Sequence, residues 1–167
     1  MGNSADVFTA LPKSDLWGTP PELRDSVARH LCVKISGWDP CPYPRPVGYD
    51  GLLVNWSDHV SDGEWVFVNP PFSDLFNWSK KAVEMQALGV NVLFFAAARM
   101  DNRCWQKNLL PNSSEVLFLS PRVKFVVLGD ARGDYHGQAS FPSAIAVLPR
   151  NFGPTGMCAT ASGLRWK

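Results

Sequence analysis

Two consecutive prolines at positions 70 and 71 divide this chain more sharply than any other feature, because they end a strand and stiffen the connection after it. In Glu64-Trp65-Val66-Phe67-Val68-Asn69-Pro70-Pro71-Phe72, the five residues ending in Val68 predict a buried strand. Proline has no N–H to give a ladder, so the strand stops at Asn69. Open α/β sheets bind ligands beyond the carboxyl ends of their strands. An amide oxygen, a fixed backbone carbonyl and an aromatic face gathered at such an edge suit a flat amine. Read without chemistry, the stretch is a strand and a Pro-Pro turn, with Phe72 covering the core.

The 167 residues are enough for one domain, the 46% apolar content supplies its core, and the 19% charged content argues against disorder. No apolar run of about 18 residues occurs, and Met1 to Ala10 lacks a basic region followed by an apolar one, so neither a membrane span nor a signal peptide is expected. Cys32, Cys41, Cys104 and Cys158 show no C-x-x-C spacing and read as reduced thiols, mostly core. The three histidines, His30, His59 and His136, show no metal-ligand spacing. The net charge of +1 conceals an asymmetry: residues 1–84 hold 7 Lys/Arg against 11 Asp/Glu, or −4, and residues 85–167 hold 9 against 4, or +5. The second half is thus either a phosphate-facing surface or ordinary solvated surface.

Residues 1–16 read as an arm. Thr19 and Glu22 have capping-box spacing, Pro20 suits a first helical position, and Leu23, Val27 and Leu31 recur every fourth residue, so a helix is expected over 20–31. Cys32 to Trp38 reads as the first strand, running into Asp39-Pro40-Cys41-Pro42-Tyr43-Pro44. Asp50-Gly51-Leu52 precedes the organising strand and by itself is a turn. After Phe72, Ser73 or Asp74 can cap a helix that Gly89 ends, and Val90 to Ala96 is a continuous apolar strand. A short helix around Trp105 comes next. Residues 116–119, 123–128 and 143–148 read as three more strands, the last two forming a hairpin across a polar connection, and 151–167 as a loosely held tail.

The order Thr-Pro, Asp-Pro-Cys, Asp-Gly-Leu, Asn-Pro-Pro-Phe, from Trp17 to about Leu148, resembles the phage-type DNA N6-adenine methyltransferases. The resemblance implies an α/β fold: a compact Rossmann-like methyltransferase over 17–150, with a mostly parallel sheet and a terminal antiparallel hairpin. It implies S-adenosylmethionine as cofactor, methyl transfer to adenine N6 in duplex DNA, and an intracellular place in a phage-infected or prophage-bearing bacterium. Asn69, Pro70, Pro71 and Phe72 would be catalytic, and Trp17, Thr19, Pro20, Asp39, Cys41 and Asp50 would bind the cofactor. Asp39 and Cys41 fit, and the loop is stiffened by prolines where other adenine methyltransferases have glycines, which the phage-type members also lack. Arg99, Arg103, Lys107, Arg122, Lys124 and Arg132 are candidates for phosphate contact. No metal is implied, since transfer from a sulfonium needs no Lewis acid. The same motif would serve methylation of RNA adenine or of a protein glutamine amide. A non-catalytic nucleic-acid-binding relative is the other alternative.

Overall fold

The computed structural model describes residues 17–42, 45–127, 135–154 and 160–166. Its first elements are a two-residue strand β1 (Trp17–Gly18) and helix α1 (Pro21–Leu31). The organising stretch is built as β2 (Trp65–Val68), α2 (Leu75–Ala87) and β3 (Asn91–Ala97), a parallel pair joined by its helix. A π turn over Trp105–Leu109 leads into α3 (Leu110–Asn112). Pro111 offers no N–H to the carbonyl of Lys107, and the ladder widens there so that Leu110 donates to Trp105 instead. Then come β4 (Glu115–Ser120), β5 (Lys124–Val127), β6 (Tyr135–Gln138), β7 (Ser143–Leu148) and β8 (Thr160–Arg165).

Five strands form an open sheet in the order β2-β3-β7-β4-β8. β7 runs antiparallel to both neighbours, and the other four strands share one direction. The fold is therefore a mixed α/β architecture with a mostly codirectional sheet. Alternate residues of each central strand enter two cores. On one face Trp78, Ala82 and Met85 of α2 pack on Val66, Val68, Val92, Phe94 and Ala146. On the other, Leu23 and Val27 of α1 pack with Phe67, Leu93, Phe95, Leu117 and Ile145. Every residue of β3 and β7 is buried, as a sheet covered on both faces demands. A second sheet, β1-β5-β6, is antiparallel throughout.

Several sequence expectations need correction. The hairpin of 123–128 with 143–148 does not form. β7, apolar at every position but its first, lies at the centre of the main sheet, and β5 pairs with β6 inside the segment read as a polar connection. Residues 160–166, read as part of a loose tail, form β8 and its last turn into the core. β8 pairs along β4, and Leu164 and Trp166 are buried, with the Trp166 indole N–H donating to the Pro121 carbonyl at 2.7 Å. The first strand is reduced to a single parallel bridge between Ile35 and Trp65. Cys32 spends one end of the expected strand as a left-handed cap of α1, at φ 53°. The capping box is absent too: a residue before proline is driven out of the helical region, so Pro20, at ψ 133°, stays extended and α1 begins at Pro21 without a side-chain cap.

Candidate functional site

Asn69, Pro70, Pro71 and Phe72 form the connection between β2 and α2 at the carboxyl edge of the sheet. Each proline restricts the residue before it to extended backbone, and Pro71 sits at φ −59°, ψ 130°. A 3₁₀ turn over Phe72–Asp74, with Asp74 N–H donating to the Pro71 carbonyl at 3.1 Å, then starts the helix. Asn69 is half-buried and Pro70 buried, on a connection that its prolines leave little freedom to move. Phe72 is also half-buried. Its ring lies edge-on to Phe141 at 5.0 Å and to Phe125 at 6.4 Å, and tilted on Phe95 at 6.5 Å. The core-covering reading of Phe72 is thus realised, while part of its surface remains open to solvent.

The register brings a second segment alongside. The bridge of Ile35 to Trp65 is parallel, so the segment leading to Asp39 leaves it in the same chain direction as β2 leads to Asn69. Asp39 accepts from the Cys41 N–H at 2.8 Å, and Asp50 from the Leu52 N–H at 3.0 Å, which makes both aspartates turn-formers. Burial pushes the Asp39 carboxyl above its usual range, opposed by the Cys41 N–H and by the positive charge of Arg24. The two turns are locked together at Gly51. A side chain there would begin 1.9 Å from the Pro40 carbonyl oxygen, and the Gly51 carbonyl accepts from the buried Trp56 indole at 2.8 Å. Tyr49, beside this lock, has its hydroxyl buried with no hydrogen-bond partner among the described residues. Burial raises its pKa first, and the nearby charges of Asp39, Cys41 and Asp50 raise it further.

A cavity of about 500 Å³ opens between α1 and residues 33–37, which the Ile35–Trp65 bridge sets beside the start of β2, and it is lined among others by Thr19, Arg24, Asp25 and Gly37. Thr19 is therefore placed by a pocket wall, while Pro20 is buried as the residue leading into α1. Trp17 pairs through its backbone with Val127. Cys41 is half-buried.

The basic candidates do not all converge. Arg99 comes after β3 and Arg122 after β4, both at the carboxyl edge. Arg122 is engaged by its own fold, donating to the carbonyls of Ala139 and Ser140 at 3.5 and 3.4 Å, and so holds the chain ahead of Phe141. Arg103 lies over the Phe76 ring at 4.7 Å, one turn beyond the Pro-Pro connection, with exposed Lys107 next along the helical segment. Lys124 is exposed on β5, and Arg132 lies outside the described residues. Among the described residues no cluster of three His, Cys, Asp or Glu could hold a metal, and no helix is long and apolar enough to cross a membrane.

No known protein family, curated protein or solved structure matches this chain. The site must be judged on its own chemistry. Sequence reasoning missed Arg24, Tyr49 and the contact at Gly51. All three act through space rather than along a motif, and Gly51 alone carried a signal, as the glycine of an Asp-Gly turn.

Proposed function

We propose that the protein transfers a methyl group from S-adenosylmethionine to the N6 amine of adenine in DNA. The observation that carries this reading is the rigid Asn69-Pro70-Pro71-Phe72 connection at the carboxyl edge of the sheet, with Phe72 braced on the core and still partly open to solvent. An open sheet with four codirectional strands and helices on both faces supports a Rossmann-like arrangement. The cavity's volume and mixed lining fit a cofactor that carries both an amino-acid end and an apolar ring.

S-adenosylmethionine, when bound, supplies an electrophilic methyl group on a sulfonium. The chain's own task is to make a poor nucleophile attack. The lone pair of an aromatic amine is delocalised into its ring, so nitrogen attacks only as it becomes tetrahedral. The Asn69 side-chain oxygen and the Pro70 carbonyl accept the two amine hydrogens and bind them more strongly as positive charge develops on nitrogen. Phe72 offers its open surface to a base turned out of the duplex, braced from behind by Phe141 and Phe125.

Calorimetry with S-adenosylmethionine and its demethylated product tests the cofactor half of the proposal. Saturable binding of both is expected, and the absence of heat with either would sink it. Phe72→Ala is expected to weaken the DNA complex by about 1–3 kcal/mol and leave cofactor affinity unchanged. Equal weakening of both would mean that Phe72 serves only the core. With Arg99, Arg103, Lys107 and Lys124 as the contacts, the logarithm of DNA affinity should fall with that of salt at a slope of about −3 to −4. That is about a hundredfold between 50 and 200 mM. A flat response would exclude phosphate-dominated binding.

A further inference from the structure

The cavity between α1 and residues 33–37 contains a cation whose surroundings leave it unfinished. Arg24 is half-buried. One guanidinium nitrogen donates to the Ser36 carbonyl at 2.9 Å, and the group lies 5.5 Å from the centre of the buried Phe67 ring. These contacts hold the guanidinium in one place. They use a fraction of its five N–H donors; the Asp39 carboxyl feels its charge, but among the described residues no carboxylate lies within ion-pair distance of it. Lys34, the other cation on this wall, is already bonded to Glu64 at 2.7 Å. A fixed, partly desolvated guanidinium facing a cavity is built to receive a planar anion in a two-pronged grip.

The second charge on the wall decides which anion. Asp25, the next residue of α1, lines the same cavity and is exposed to it. It would repel a phosphate dianion, but it complements an ammonium placed beside a carboxylate. We propose that this cavity recognises the zwitterionic amino-acid end of a small ligand, with Arg24 on the carboxylate and Asp25 on the ammonium. On the cofactor reading, on which this step rests, that ligand is the methionine portion of S-adenosylmethionine. Arg24 is then the residue that distinguishes it from an adenosyl sulfonium without the carboxylate. Thr19, at the mouth of α1, lines the same wall.

Calorimetry with S-adenosylmethionine and with decarboxylated S-adenosylmethionine tests this without any turnover. The wild-type protein should prefer the intact compound by about ten- to a hundredfold, the scale of a charge-assisted pair. Arg24→Met, whose apolar stem can still lie on Phe67, should lose affinity for the intact compound and bind the two alike. Arg24→Lys should keep part of the preference, and thermal melting should show both variants folded. If Arg24→Met does not fold, the wild-type comparison of the two compounds decides alone. A wild-type protein that binds both equally overturns the assignment and leaves the cofactor reading standing, as does an Arg24→Met protein that keeps the full preference. A wild-type protein that binds neither overturns both.

Discussion

Replacing Asn69 by alanine is expected to lower methyl transfer by about 10²–10³, the scale of losing one preorganised polar group at a developing charge. The loss should fall on kcat, because the amide oxygen is tightened upon in the transition state more than in the bound substrate. Cofactor affinity should be unchanged. Asn69 lies after Val68, outside the buried run of β2, and the prolines that hold the connection remain. Stability should therefore change by no more than about 1 kcal/mol, the net worth of one hydrogen bond. Steady-state rates and a melting curve on the same preparation separate the possibilities. A variant that melts early but has full specific activity in its folded fraction would make Asn69 a turn residue.

Gly51→Ala should damage the fold more than Asn69→Ala or Phe72→Ala. The backbone at this position is ordinary, so it is space that demands glycine. The new methyl group would begin 1.9 Å from the Pro40 carbonyl oxygen and 3.0 Å from the Trp78 ring. Neither neighbour can swing away, since one is main chain and the other is a buried ring of the core under α2. Separating the two turns should cost about 3 kcal/mol, the upper end of ordinary overpacking. For a chain of this length that lowers Tm by about 10 °C. Cofactor affinity should fall with it, because the turn carrying Asp39 and Cys41 is the part that must move. An unchanged Tm would show that the two turns are not held against each other in solution.

The parts of the fold legible in the sequence are those where local signals agree. In the unit from Trp65 to Ala97, a short apolar run, two prolines, a 3.6-residue period and Gly89 at φ 95° all point to strand, helix, strand. Pairing partners were not legible. The run Ser143 to Leu148 was identifiable as a strand, and its nearly unbroken apolar character was a sign of a central place. Adjacency in the chain favoured a hairpin instead, and the pairing with β3 and β4 overrode it. β8 was hidden because Thr160, Ala161, Ser162 and Gly163 together have little intrinsic strand preference and are ordered by pairing with β4. At the site, Asn69 to Phe72 stood out because proline chemistry is local. Arg24 stood out in no way. On α1 it is one polar residue between Leu23 and Val27, and its role exists only where Ser36 and Phe67 come to meet it.

The central claim is chemical, and it is tested most directly by incubating the purified protein with duplex DNA and S-adenosylmethionine labelled in its methyl group, then digesting the DNA to nucleosides. The expected result is label in N6-methyldeoxyadenosine, reduced about 10²–10³ with Asn69→Ala at equal protein concentration. Label in another base, or none in DNA across varied sequence contexts while the cofactor binds normally, would contradict it.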